Sequence, residues 1–316
     1  MRLIDKLVKP PEEKYSLPPT PKGIPLNLSF GKFISKKGKK VVTFTIDTSF
    51  YRILGLDENF NILFSPYEKE ISKDIPLEEK LSKVKDFILN SGLNLKEIQL
   101  ATYIPARYGI VRMYTFPKNL KQSELVRAIT LYIQEEISET FADKEVVYSY
   151  DVLEGRKDEP YKVIATILEK EIIDSYLNWS FNLGKELDVI SFEPICITNL
   201  AFLKKLPQPF SIIYTDINKI IILNYGASRF SYEIFPYALN LEKGFEETLN
   251  MLIWDIRNYI VLNDLSNIYL SGIVLEYEHL TEFFLERLPI FGLVSIDKFP
   301  ERYALLYTLG ARLVNV

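Results

Sequence analysis

From position 40 onward, short apolar runs alternate with longer stretches whose apolar residues recur every three or four positions, a pattern of strands interleaved with helices. Lys40 to Ile46, rich in Val, Thr and Phe, predicts a first strand. The turn Asp47-Thr48-Ser49 leads to a second strand, Tyr51 to Leu56, and a third around Asn61 to Ser65. Leu81, Val84, Phe87 and Ile88 predict a helix over Leu77 to Asn90 that stops at Ser91-Gly92. A strand, Glu97 to Ile104, then meets Pro105.

Beyond Pro105 come a strand (Tyr108 to Phe116), a helix opening at Ser123-Glu124, two strands (Val146 to Leu153 and Tyr161 to Ile167) around the polar loop Glu154 to Pro160, and a helix (Glu169 to Leu183). This block predicts a compact α+β subdomain over residues 105–184. A linking helix, Pro194 to Leu203, precedes a second set of elements that repeats the first in outline. It has a strand (Ser211 to Asp216), a turn through Asn218-Lys219, strands Ile220 to Tyr225 and Phe230 to Phe235, a long helix (Gly244 to Leu262), a strand (Asn267 to Leu270) and a closing helix (Tyr303 to Leu313). Each half ends its first strand on an aspartate. Such a duplicated α/β layout places a ligand crevice between its halves.

Composition narrows the chemistry. The 316 residues carry a net charge of −4, so no general basic field is available to hold nucleic acid. One cysteine, Cys196, and one histidine, His279, argue against a disulfide and against a Cys- or His-rich metal site. Cys196 lies among Ile195, Ile197 and Leu200 and reads as core; His279 lies in a polar segment and reads as solvated. Abundant Ile, Lys, Glu and Tyr with few Met and Cys is a composition of thermophiles. No apolar run reaches the roughly 20 residues that span a bilayer, so a cytoplasmic location is expected. Prolines 10, 11, 18, 19, 21 and 25 predict an extended tail or linker over residues 1–27, behind a short apolar and basic segment, Met1 to Val8. P-loop, HExxH, GxSxG, CxxC and Rossmann glycine motifs are absent.

An ordered set of residues carries a family resemblance over about residues 40 to 316. Its members are the Asp47 turn and hairpin, Phe116-Pro117 followed by Ser123-Glu124-Leu125 and Ala128-Ile129, and Tyr148 to Leu153. They continue with Val163 to Tyr176, Glu193 and Ala201 on the linking helix, and Asp216, Gly226 and Phe230 to Pro236. Leu270-Ser271-Gly272 and Ala304 to Leu313 complete the set. Together they resemble the type IV pilus assembly protein PilM family, related to FtsA and to the cytoplasmic part of type II secretion L proteins. The resemblance implies an α/β, actin-like (ribonuclease H-type) fold of two lobes with an FtsA- or PilM-like inserted subdomain. Residues 28–104, with 185–205 and the helix in 303–316, would form the first lobe (1A). Residues 105–184 would be the insert (1C-like), and residues 206–302 the second lobe (2A and 2B). It also implies a cytoplasmic scaffold peripheral to the inner membrane that binds the cytoplasmic tail of PilN, a bitopic membrane protein, in a groove beside the insert. Pilus motor ATPases and further copies of the chain are the other implied partners. Tyr103, Tyr108 and Tyr114 are the candidates for lining the groove.

The same resemblance implies a nucleotide site at Asp47, Thr48, Ser49, Asp216, Asn218, Ser271 and Gly272, and here the sequence departs from the family. Actin-like proteins cradle phosphates in two Asp-x-Gly turns, whose glycines admit positive φ and close approach of backbone N–H groups. Asp47-Thr48-Ser49 and Asp216-Ile217-Asn218 lack both glycines, the hairpins are short, and the late glycine pair has become Gly272-Ile273, with the isoleucine expected to crowd a nucleotide. The expectation is a degenerate site without cofactor. The alternative is an active ATPase in which Asp47 organises Mg²⁺ through water and Asp216 faces ATP across the cleft.

Overall fold

The computed structural model describes residues 40–153, 159–226, 229–237, 245–296 and 299–314. The expectations for the tail over residues 1–27 and for most of the loop after Leu153 lie outside these residues. Strand β1 (Lys40–Ile46) is buried on both faces, and the residues that alternate with Val42, Phe44 and Ile46 are the small, buried Thr43 and Thr45, with no charged residue among them. It pairs antiparallel with β2 (Phe50–Leu56), which pairs with the short edge strand β3 (Tyr67–Glu70). On its other side β1 runs parallel to β4 (Ile98–Ile104), and β4 to β8 (Val189–Phe192), giving the order β3-β2-β1-β4-β8. The second sheet repeats this plan with β9 (Phe210–Asp216), β10 (Lys219–Tyr225), β11 (Phe230–Pro236), β12 (Ile268–Gly272) and β13 (Ile290–Val294), in the order β11-β10-β9-β12-β13. Pair for pair, the parallel and antiparallel relations are the same.

Alternation along the central strands assigns the layers. On β1, Phe44 packs against Tyr176 and Trp179 of helix α3 (Lys170–Leu183), which lies beside α1 (Leu77–Asn90). Its neighbour Thr43 points the other way and donates to the Leu306 carbonyl of α7 (Ala304–Val314) at 3.1 Å. Gly310 lets α7 approach this face; a Cβ there would lie 2.8 Å from Leu56 Cδ1. Helix α7 packs on α4 (Glu193–Leu203), the linking helix, and one continuous core joins these helices to Ile212, Tyr214, Ile221 and Leu223 of the second sheet. On the opposite face of that sheet, Ile213, Ile220, Ile222 and Leu270 pack with α5 (Phe245–Leu262) and α6 (Glu278–Arg287). The layers are therefore helix, sheet, helix, sheet, helix.

The insert is a three-stranded antiparallel sheet, β5-β7-β6, of β5 (Gly109–Phe116), β6 (Val146–Leu153) and β7 (Tyr161–Glu169), covered by α2 (Gln122–Thr140) around a separate small core.

Three expectations change. The third strand is Tyr67–Glu70, because Asn61 to Ser65 makes only an isolated bridge, Ile62 to Leu56. Helix α3, expected inside the insert, has Ile173, Tyr176, Trp179 and Leu183 buried in the core of the first lobe, so the independent part of the insert ends with β7. Strands β8 and β13 and helix α6 were not foreseen. The expected division of the second lobe into 2A and 2B falls partly on residues 238–244, between β11 and α5, which lie outside the described residues.

Candidate functional site

Strand β1 leads directly into Asp47 and β9 ends on Asp216, both at the crevice between the lobes, where open α/β sheets place ligands. Each acid closes its own turn. The Thr48 N–H donates to Asp47 Oδ1 at 2.6 Å, and the Ile217 N–H donates to Asp216 Oδ1 at 2.7 Å. Register keeps both hairpins tight: the Asp47 N–H bonds the Phe50 carbonyl, and Asp216 pairs directly with Lys219. In both turns the first amide beyond the acid, one that could face a phosphate, is already engaged.

The acids are also neutralised, and the cations come from the opposite lobe. Lys219, which opens β10 in the second lobe, places Nζ 2.6 Å from Asp47 Oδ2 and 2.7 Å from Glu193 Oε2. Arg52, in the middle of β2 in the first lobe, holds Asp216 with two bonds of 3.0 and 2.8 Å. Both cations are buried, Arg52 completely. Asp47 receives three further donors, Arg107, the Asn218 side-chain amide (3.2 Å) and the Thr48 hydroxyl (3.2 Å). Arg52 also bonds Glu68 and the Arg302 carbonyl; Arg302 in turn bonds Glu68 and Glu276. Two chains of alternating charge thus cross the cleft.

The electrostatics follow from this wiring. Burial alone would raise the Asp47 carboxyl, but Lys219 and Arg107 outweigh it and hold the group far below the ordinary carboxylate range. Burial opposes the charge of Lys219, yet Asp47 and Glu193 raise its ammonium above the usual lysine value. At Glu193 burial wins, and its carboxyl is raised despite Lys219. Glu193 accepts the Ala106 N–H at 2.8 Å through Oε2, while its Oε1 is buried without a partner, as is Asn218 Oδ1.

Of the residues expected at a nucleotide site, Asp47, Thr48, Asp216 and Asn218 converge at the cleft, and the Ser49 carbonyl accepts from the Ile71 N–H at the turn. Ser271 is turned away: its hydroxyl donates to the Val294 carbonyl at 2.7 Å. Gly272 adopts φ +91°, and a Cβ there would lie 2.1 Å from the Thr215 carbonyl oxygen, so the glycine serves strand packing. Ile273 does not crowd the cleft as expected; it is fully buried in the second lobe's outer core. The three tyrosines do not share one groove. Tyr103 is buried within the first lobe, Tyr108 lies under the Arg107 guanidinium at the cleft mouth, and Tyr114 packs against Phe116 and Tyr132 in the insert. Cys196 is buried beside Ser191, where burial pushes its thiol up to about 12, and His279 is exposed.

Sequence reasoning missed Arg52, Arg107 and Lys219, and placed Glu193 only on the linking helix. A signal existed: Arg52 interrupts the apolar strand Phe50–Leu56, and Lys219 precedes three isoleucines. A charge at such a position has to find a buried partner.

Cation coordination at Asp47, direct or through water, would compete with donors already in place: Oδ1 faces Thr48, Arg107 and Asn218, and Oδ2 faces Lys219. These residues, as arranged, do not fit a magnesium nucleotide. Among the described residues, no group of three or more His, Cys, Asp or Glu side chains could hold a metal ion.

No protein-family model and no curated protein matches the sequence. Solved structures do. The PilM–PilN type IV pilus biogenesis complex aligns with a TM-score of 0.67 at 13% identity, over 87% of this chain and 99% of that one. A Bacteroides thetaiotaomicron protein with an actin-like ATPase fold and unknown function aligns with a TM-score of 0.50 at 15% identity, over 87% and 97%. At these identities the likeness shows an α/β actin-like fold.

Proposed function

We propose that this chain is a PilM-like scaffold of a type IV pilus or related secretion or DNA-uptake machine, working at the cytoplasmic face of the inner membrane without nucleotide. Its partner on this reading is the cytoplasmic tail of a PilN-like inner-membrane protein. The crossed ion pairs carry the proposal, because Lys219 and Arg52 supply from within the protein the positive charge that a cation would bring to Asp47 and Asp216. The likeness to a PilM–PilN complex across most of both chains supports the choice of machine and partner. Among the described residues no helix is long and apolar enough to cross a membrane, which suits a protein held there through others.

The test is titration calorimetry of the purified chain with Mg-ATP and, separately, with a synthetic peptide of the cytoplasmic tail of a PilN-like protein. Saturable peptide binding with at most millimolar ATP affinity is expected. Micromolar ATP binding would return the chain to the active ATPases, with Asp47 and Asp216 at the nucleotide. Absence of peptide binding would remove the proposed partner.

A further inference from the structure

Helix α5 lies in the outermost layer of the second lobe and is apolar on two sides. Its inner side, with Leu249, Leu252, Ile253, Ile256 and Ile260, packs on the sheet. The opposite side of a surface helix is ordinarily polar. Here it carries Met251, Trp254, Val261 and Leu262, which are 73, 65, 77 and 84% exposed. The four side chains follow one stripe about 16 Å long. Tryptophan and methionine are the residues that interface cores enrich, and a tryptophan at the centre of a stripe is a common hot spot. Exposed Asn250 and Asp255 lie beside the stripe, as a polar rim does beside an interface core.

Met251, Trp254, Asn258 and Val261 follow one another at intervals of three, four and three, the spacing of a seam between two packed helices. Half-buried Asn258 is the polar member of this seam. The seam complements itself. A two-fold axis level with Ile256 brings up an antiparallel second α5, setting Met251 opposite Val261 and Trp254 opposite Asn258, twice over. Every layer then joins a large side chain to a smaller one, which fills the 8–10 Å between packed helix axes evenly. The indole N–H, a donor only, meets the Asn258 carboxamide oxygen. A slip along the seam would leave that amide against Met251 or Val261, so the asparagine fixes the register. A parallel pair would instead crowd two indoles into one layer and leave two asparagines in the next.

We propose that the exposed face of α5 is the interface of a two-fold dimer, its occupant the α5 of a second copy of this chain. A second copy is the occupant because the stripe supplies both halves of every layer, including the donor for its own polar residue. Area sets the strength. Trp254 brings up to roughly 150–250 Å², and the whole stripe on the order of 500 Å² per copy, against about 800 Å² per partner in a standard stable interface. The dimer is therefore reversible, with a dissociation constant of about 10–100 µM. None of the seam residues belongs to the ion-paired cleft, so each copy keeps its own cleft on pairing. In the proposed scaffold, one dimer would hold two membrane tails at once.

The test is sedimentation equilibrium of the full chain from about 1 to 300 µM, with acrylamide quenching of tryptophan fluorescence over the same range. Of the two tryptophans Trp179 is buried, so a change in quenching reports Trp254. A monomer–dimer equilibrium is expected, with Trp254 shielded in step with the dimer. Trp254→Asp should raise the dissociation constant by roughly thirtyfold or more, and Val261→Lys, at the end of the seam, severalfold. Both side chains are exposed, so the melting temperature of the monomer should stay where it was. Mixing Met251→Cys copies with Val261→Cys copies should give a disulfide-linked heterodimer on oxidation, since buried Cys196 does not compete. Equally ready cross-linking of Met251→Cys alone overturns the antiparallel seam. A chain that stays monomeric throughout, or a dimer that survives Trp254→Asp, overturns the interface. Shielding of Trp254 in a monomer, independent of concentration, means another segment of the same chain covers the stripe and overturns the second copy as its occupant. All of these outcomes leave the proposed function to the ATP and peptide titrations.

Discussion

The two lobes share a strand order and end their first strands on an aspartate, yet they neutralise that aspartate by different means. Asp216 is held by one planar guanidinium making two bonds, and Arg52 is itself anchored by Glu68 and the Arg302 carbonyl. Asp47 is held by a lysine that also serves Glu193, with Arg107 and Asn218 as further donors. The second lobe's acid thus has one irreplaceable cation, and the first lobe's acid has several. Dependence on a single partner makes a site brittle; shared partners make it tolerant. The lobes differ again where β4 and β12 end, each leading into a 3-10 turn. The first lobe passes through Ile104-Pro105, whereas the second needs Gly272 because Thr215 lies directly against it.

The sharpest way to break the comparison is Arg52→Met. It strands Asp216 in a buried setting, while Glu68 keeps Arg302, and should cost about 3–5 kcal/mol of stability, read as the shift of a guanidinium unfolding transition. Adding Asp216→Leu should recover part of that loss; no recovery would mean the pair is not the source. Gly272→Ala should come next, at about 2–4 kcal/mol, because the new Cβ meets the Thr215 carbonyl at a φ that alanine rarely adopts. A cost within 0.5 kcal/mol, the ordinary range of surface substitutions, would show that β12 moves aside freely. Lys219→Met should cost less than Arg52→Met, about 2 kcal/mol, since Asp47 keeps Arg107 and Asn218. If the two losses come out equal, the contrast between brittle and tolerant lobes is wrong.

Acid titration gives the smallest effect and tests the electrostatics alone. Asp47 titrates below its unfolded-state value of roughly 3.9, so its stabilisation is complete above that pH and is lost as pH falls. Glu193 is raised, so it has the opposite sign: its protonation favours the fold, and its contribution falls as pH rises through the raised value. Asp47→Asn should therefore flatten the rise of stability with pH below about 4, and Glu193→Gln should remove the fall of stability with rising pH above that range. Slopes changing together in one direction would contradict the assignment.

Much of the architecture was legible because local pattern carried it. The ends of β6 and of α1 match the sequence expectation, and Asp47 and Asp216 were marked by turns after apolar strands. The third strand was misplaced because Tyr67–Glu70 is a half-exposed edge strand of sequence Tyr-Glu-Lys-Glu, whose identity comes from pairing with β2 and not from hydrophobicity. Helix α3 was assigned to the wrong unit because periodicity reports which face is buried, not what it is buried against. The cleft was half legible. Lys219 meets Asp47 across 172 positions and Arg52 meets Asp216 across 164, and no local rule connects residues so far apart.

The crossed pairs also bear on how such a cleft could change over generations. Exchanging an internal cation for one taken from solution requires losing Lys219 or Arg52, and either single step leaves a buried acid with less compensation than before. Losing an aspartate first leaves a buried cation in the same position. Every one-residue path out of this arrangement therefore runs through a destabilised intermediate, and on the Arg52 side through the deeper valley. Selection on stability alone then works as a ratchet, preserving paired charges across the lobes whether or not the crevice ever meets a ligand. Persistence of the two aspartates in descendants of this chain would consequently say little about catalysis, since the cations opposite would be enough to retain them.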